Sequence, residues 1–212
     1  MKVSSPSLAP MLRSVTQGRI LARVLADPEK EHNLTELAAL VQSSMPTVQR
    51  EVGRAERAGI VATRKVGPAR LVRANVAHPL HGAFRQIILG TYGPPEVIAR
   101  EFSGVDASAV LLIGSWAARY LGEPGRAPRD VDVLVVGSPD RDAVDDAAER
   151  SERDIGLPVQ ATVRSRATWI DDAENFVNEV KSRPLVLVLV DDRDEELSRD
   201  VNGLAARQGV TR

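Results

Sequence analysis

The chain contains no cysteine, which excludes a disulfide framework and thiolate metal sites and fits a reducing compartment. Aromatic residues supply only 3% of the 212 residues against 43% hydrophobic overall, so any core must be aliphatic, built from Val, Leu, Ile and Ala. Long apolar runs are missing too. The longest, LVLVLV at 185–190, is far too short to span a bilayer, and the opening MKVSSPSLAP has no apolar signal core. The expectation is a cytoplasmic protein with no membrane partner and a short frayed lead-in over residues 1–10. Its three histidines, His32, His78 and His81, are too few and too scattered for a metal-sensing site.

What is present is unevenly distributed. Residues 1–80 hold 12 Lys and Arg against 6 Asp and Glu, whereas the remainder holds 16 against 23. The basic first third suits a polyanion, and the acidic remainder does not; an accident of surface composition is the plainer alternative. A length of 212 residues allows one large domain or two small ones.

In the first third, apolar Leu12, Val15, Ile20, Val24 and Leu25 recur near one helical face before Pro28. NLTELAALV (33–41) starts a second helix at Asn33 or Thr35. MPTVQREVGRAERAGI (45–60) makes a third, with Pro46 in the first turn and Gly59 as its stop. Two short helices across the turn QSS make a helix-turn-helix. IVATRKVGPARLVRAN (60–75) then reads as strand, Gly-Pro turn and strand. Arg64, Lys65, Arg70 and Arg73 on that hairpin lie where a duplex backbone would pass, and cations there gain affinity by releasing counterions. Ser44, Thr47, Gln49, Arg50 and Arg54 are the exposed side chains of the third helix, and Gln49 and Arg50 can each contact a base edge through two hydrogen bonds.

This pattern resembles the winged helix-turn-helix of ArsR- and MarR-type bacterial transcription regulators over roughly residues 10–78. The resemblance implies binding to double-stranded DNA, with a winged helix used for protein contacts as the alternative. Between 78 and 104, Leu80, Phe84, Ile87 and Ile88 form an amphipathic stripe broken at Gly90 to Pro95. That stripe is either ordinary core or a surface that pairs two subunits into a homodimer.

The second half opens with AVLLI (109–113), the mark of a buried strand, and Gly114-Ser115 then starts a helix, SWAARYL. After the loop GEPGRAPR comes DVDVLVV (130–136). Side chains alternate along a strand, so Asp130 and Asp132 share a face. Carboxylates held together are costly without compensation, and Mg²⁺, which combines carboxylate with phosphate oxygens, supplies it. Gly114 lets a phosphate approach the backbone, and the helix start offers it N–H groups and the Ser115 hydroxyl. These pieces describe a site for a metal-bound nucleoside triphosphate, with Arg119 as a further nucleotide contact or a surface ion-pairing residue.

Strand, Gly-Ser, helix, then strand with Asp-x-Asp also resembles the nucleotidyltransferase motif of the DNA polymerase β superfamily, and its minimal members most of all. The resemblance implies that Gly114 and Ser115 hold the triphosphate and that Asp130 and Asp132 bind Mg²⁺. It also implies a third carboxylate on a neighbouring strand, where PVQATVRS (158–165) carries Gln160. An amide bears no charge and cannot act as a base; Asp154, Asp171 and Asp172 are the substitutes within reach of the sequence. The expected architecture is α+β with two domains: a winged helix at 1–78, a helical linker at 79–104, and a nucleotidyltransferase-like α/β domain with a mixed sheet at 105–212. The expected function is a DNA-binding regulator carrying a Mg²⁺-nucleotide domain with weak or no transfer activity. Alternatives are an active transferase, moving a nucleoside monophosphate to a hydroxyl, and an antitoxin-like module that binds a protein. The rest reads as structure: one helix over 168–182, with Trp169, Phe176 and Val180 inward, a strand or helix start at 183–190, and a solvated acidic end, DDRDEELSRD (191–200).

Overall fold

A computed structural model describes residues 12–207; the lead-in expected over residues 1–10 lies outside them. The described chain is mixed α and β, and it divides into two compact units between Glu96 and Val97. Residues 79–104, read as a linker, are shared between the two units.

The first unit runs α1 (Val15–Ala26), β1 (His32–Asn33), α2 (Leu34–Leu40), α3 (Met45–Arg57), β2 (Val61–Val66), β3 (Ala69–Ala74) and α4 (His81–Tyr92). Local chemistry sets the helix starts. The Ser14 side chain accepts from the Gln17 N–H, and the Asn33 side chain accepts from the Glu36 N–H at 2.7 Å, each satisfying a donor that the first helical turn leaves open. Pro46 sits in the first turn of α3, where its missing N–H costs nothing. β2 and β3 form an antiparallel hairpin turning at Gly67-Pro68, and β1 adds to the far edge of β3. Val24, Leu25, Leu37, Val48, Val52 and Val72 fill the space beneath.

Two expected faces are turned otherwise. Val15 is 49% exposed, and on α4 it is Ile88, Leu89 and Tyr92 that are buried, while Leu80 and Ile87 face outward at 64% and 50%. The partner of α4 explains the rotation. Arg85 Nε donates to the Leu25 carbonyl at 2.8 Å, and the Tyr92 ring lies where a Cβ on Gly18 would stand. Only glycine at position 18 lets α1 and α4 approach this closely.

His32 is buried in this unit with neither ring nitrogen hydrogen-bonded, and its Nδ1 stands 3.4 Å from Glu36 Oε1. Burial holds its pKa below the usual 6.5, although the Glu36 carboxylate pulls the other way. Burial and the Arg85 charge lower His81 as well. A histidine depressed by folding contributes stability that is complete above its unfolded pKa and is lost as pH falls towards the folded one. The first unit is therefore expected to lose stability on acidification below about pH 6.5, and His32→Leu is expected to flatten that slope. Denaturant unfolding at pH 7.5 and pH 5.5 measures both effects, and equal slopes in the two proteins would rule out His32 as the source.

The second unit takes in the end of α5 (Pro94–Glu101), then β4 (Ala109–Ile113), α6 (Gly114–Tyr120), β5 (Val131–Val136), α7 (Arg141–Ile155) and β6 (Val159–Arg164). It continues with α8 (Arg166–Ile170), α9 (Asn175–Ser182), β7 (Val186–Val190) and α10 (Glu195–Arg207). The sheet is mixed, in the order β6-β5-β4-β7: β4 is antiparallel to β5 and β7, and β5 is parallel to β6. Val131, Val133 and Val135 point to one face, beneath Ile98, Phe102, Trp116, Val144 and Ala147. Leu134 and Val136 point to the other, beneath Trp169, Val177, Leu197 and Val201. With both faces covered, the central strands are continuous apolar runs. Gly156, at φ 72°, closes α7 in the left-handed conformation.

The single helix expected over 168–182 is two. α8 stops at Ile170, Asp172 takes φ 50°, and α9 begins at Asn175. The break lets the Lys181 ammonium reach the Trp169 carbonyl and the Asp172 carboxylate, each at 2.7 Å. The acidic segment 191–200 is also more than a solvated end. Its last residues start α10, whose Leu197 is fully buried, and Asp194 and Glu196 bind the Arg166 guanidinium.

Candidate functional site

The sheet register brings three of the sequence-derived site residues together. Asp132 lies opposite Ile113 of β4 and opposite Gln160 of β6, and Asp130 comes one residue before β5 begins. Alternation puts Asp130, Asp132 and Gln160 on the sheet face that carries Leu134 and Val136. The Gln160 amide donates to Asp130 Oδ2 at 3.3 Å. Among the described residues neither aspartate enters an ion pair. Burial, then the charge on Asp130, push the Asp132 carboxyl above its usual value.

Gly114 lies against Asp132. It follows directly on β4, has φ 69°, and a Cβ built there would stand 2.2 Å from Asp132 Oδ2 and 3.2 Å from its Cγ. No other residue combines that backbone with that approach. Ser115 is exposed one residue on, and the start of α6 carries no side-chain cap. Arg119 is committed elsewhere. Its guanidinium donates to the carbonyls of Glu123 and Pro124 and packs against Gly125, so it braces the loop before β5.

The candidates for a third acid do not join the pair. Asp154 is bound to Arg100, and Asp172 to Lys181. Among the described residues no group of three or more His, Cys, Asp or Glu is arranged to hold a metal ion. Two carboxylates suit only a cation that draws the rest of its shell from elsewhere, as Mg²⁺ does from phosphate oxygens and water. The same loop carries Arg126 and Arg129, both exposed and in no ion pair among the described residues. The sequence reading passed over them, although two cations within five residues of a carboxylate pair were a visible signal.

On the first unit, Ser44, Gln49 and Arg50 are exposed on α3, while Thr47 and Arg54 are half-buried. Ser44 and Thr47 bond each other at 3.0 Å, and Arg54 binds the buried Glu51 at 2.5 Å. The hairpin cations fall into two groups. Arg64 is held by Glu31 and Arg70 by Glu56, both at 2.5 Å. Lys65 and Arg73 are exposed and enter no ion pair among the described residues. Arg50 lies 3.9 Å from the Glu51 carboxylate, so the cations of this face in no ion pair among the described residues are Arg57, Lys65 and Arg73. No described helix is long and apolar enough to cross a membrane.

Comparison with protein-family models, curated proteins and solved structures finds no match for this chain.

Proposed function

We propose that the protein is a DNA-binding transcription regulator whose second unit binds a Mg²⁺-nucleoside triphosphate. The observation that carries the nucleotide half is the state of Asp132. It is a partly buried carboxylate beside Asp130, with no cation against either among the described residues and a glycine pressed onto it. Uncompensated paired charge is costly to the fold, and such costs persist where a ligand removes them. The donor set fits one Mg²⁺ held by Asp130 and Asp132, with phosphate oxygens completing its shell. That ion would neutralise the pair and bridge it to the triphosphate. Around it, the Gly114 and Ser115 N–H groups would be donors for phosphate oxygens, and Arg126 and Arg129 would offset the remaining negative charge.

The DNA half rests on the helix-turn-helix followed by a hairpin, and on the cations exposed along it. Three of the six cations assigned to DNA contact are held at 2.5 Å by Glu31, Glu51 and Glu56, which leaves Lys65, Arg73 and the exposed Arg50, whose Nε stands 3.9 Å from the Glu51 carboxylate that Arg54 already binds. Each phosphate neutralised contributes about −0.9 to the slope of log K against log salt. Anisotropy titrations of a labelled duplex at several salt concentrations are expected to give a slope of about −3 per bound chain. Arg50→Ala is expected to weaken binding to a sequence selected from a random duplex library by about 1–3 kcal/mol. Absence of any duplex affinity at low salt would remove this half of the reading.

A further inference from the structure

We infer that Gln160 limits the carboxylate site to a single divalent cation, so that nucleoside triphosphate is held there rather than turned over; this rests on the nucleotide reading above. Gln160 stands directly across from Asp132 in the parallel register of β5 and β6, and its amide nitrogen lies 3.3 Å from Asp130 Oδ2. An ionised carboxylate only accepts hydrogen bonds, so the NH₂ end must face Asp130 and the carbonyl oxygen must face away. The N–H groups direct positive partial charge at the acceptor that a second cation would have to share.

Ligand supply leads to the same conclusion. Two metal ions in a phosphoryl-transfer site sit about 3.5–4 Å apart and need shared anionic ligands between them. The triphosphate brings negative charge to either arrangement, so the difference lies in the protein's ligands: two carboxylates would have to serve both ions here, because the position opposite Asp132 is a neutral amide. No described acid makes up the deficit: Asp154 and Asp172 are held by Arg100 and Lys181. One ion is enough to anchor a triphosphate, but it leaves the attacking and leaving oxygens without the paired clamp that lowers the transfer barrier. Nor can an amide take the proton of an attacking hydroxyl. The site therefore has the equipment to bind and lacks the equipment to transfer.

The test counts ions per bound nucleotide. The full chain is dialysed to equilibrium against Mn²⁺ and an α,β-methylene nucleoside triphosphate, which cannot be cleaved at the α-phosphate. The wild type is expected to hold one Mn²⁺ per bound nucleotide. Gln160→Glu, which replaces the amide by a carboxylate of the same shape, is expected to hold two. Gln160 is exposed on the edge strand β6, so the variant should fold; an unchanged melting temperature checks this, and Gln160→Asp is the second variant. Two ions in the wild type, or one ion in both acidic variants, would overturn the inference. Failure of the wild type to bind any nucleotide would overturn the underlying reading, and this inference with it.

Discussion

Asp132→Asn is expected to give a protein that is more stable than the wild type and has lost its magnesium-dependent nucleotide binding. The two effects share one cause. Burial and the neighbouring Asp130 charge raise the Asp132 carboxyl, so the ionised form strains the fold. An amide of the same shape removes the charge, and relief of this kind commonly adds about 0.5–2 kcal/mol. The sign with pH follows from the direction of the shift. A carboxyl raised by folding contributes stability that is complete below its unfolded value near 3.8 and is lost as pH rises through the folded value. The advantage of Asn should thus be absent below the unfolded value of 3.8 and grow as pH rises through the folded value. In the presence of Mg²⁺ and nucleotide the order reverses. Ligand at 100 times its dissociation constant stabilises the wild type by about 2.7 kcal/mol, and the variant should gain nothing. Thermal melts with and without Mg²⁺-nucleotide measure both effects; equal ligand-induced shifts in the two proteins would show that Asp132 does not hold the ion.

Gly114→Ala is expected to damage both stability and binding, in the opposite pattern. The new Cβ would stand 2.2 Å from Asp132 Oδ2, and the backbone at φ 69° is one that alanine adopts with strain. A residue forced into such a conformation costs about 1–3 kcal/mol. Asp132 can escape the clash only by rotating its carboxylate away, so nucleotide affinity should fall along with stability. Gly104→Ala is the control, since nothing lies within 4 Å of a Cβ built there; it should shift stability by less than about 0.5 kcal/mol and leave binding intact. Denaturant unfolding gives the first quantity and calorimetry the second. A Gly114→Ala protein that melts and binds like the wild type would mean that the close approach of Gly114 to Asp132 has no consequence.

Much of this was legible in the chain, and what was not had a definite cause. Alternation alone put Asp130 and Asp132 on one face, because a strand has a period of two whatever surrounds it. AVLLI and VDVLVV read as buried strands because both faces of the sheet are covered, and Gly59 read as a helix stop because few other residues accept its backbone angles. Helix rotation was less legible. α4 has apolar residues around most of its circumference, so the choice of Leu89 and Tyr92 over Leu80 and Ile87 was made by α1, through Gly18 and Arg85. Ion pairs across long sequence separations were invisible as well. Arg64 and Arg70 read as free wing cations until the fold brought up Glu31, 33 residues away, and Glu56, 14 residues away. Arg119 read as a nucleotide contact or a surface ion-pairing residue, but the loop after α6 folds back and captures it. The break between α8 and α9 depends on Asp172 taking a left-handed backbone, which no periodicity announces.

The proposed function stands or falls on whether Asp130, Asp132 and Gly114 accept a nucleoside triphosphate together with its magnesium ion. The decisive experiment is calorimetric titration of nucleoside triphosphates into the full chain, with and without Mg²⁺. Saturable binding at one nucleotide per chain that requires Mg²⁺ is expected. Absence of binding in folded protein, or equal binding with and without Mg²⁺, would refute the site.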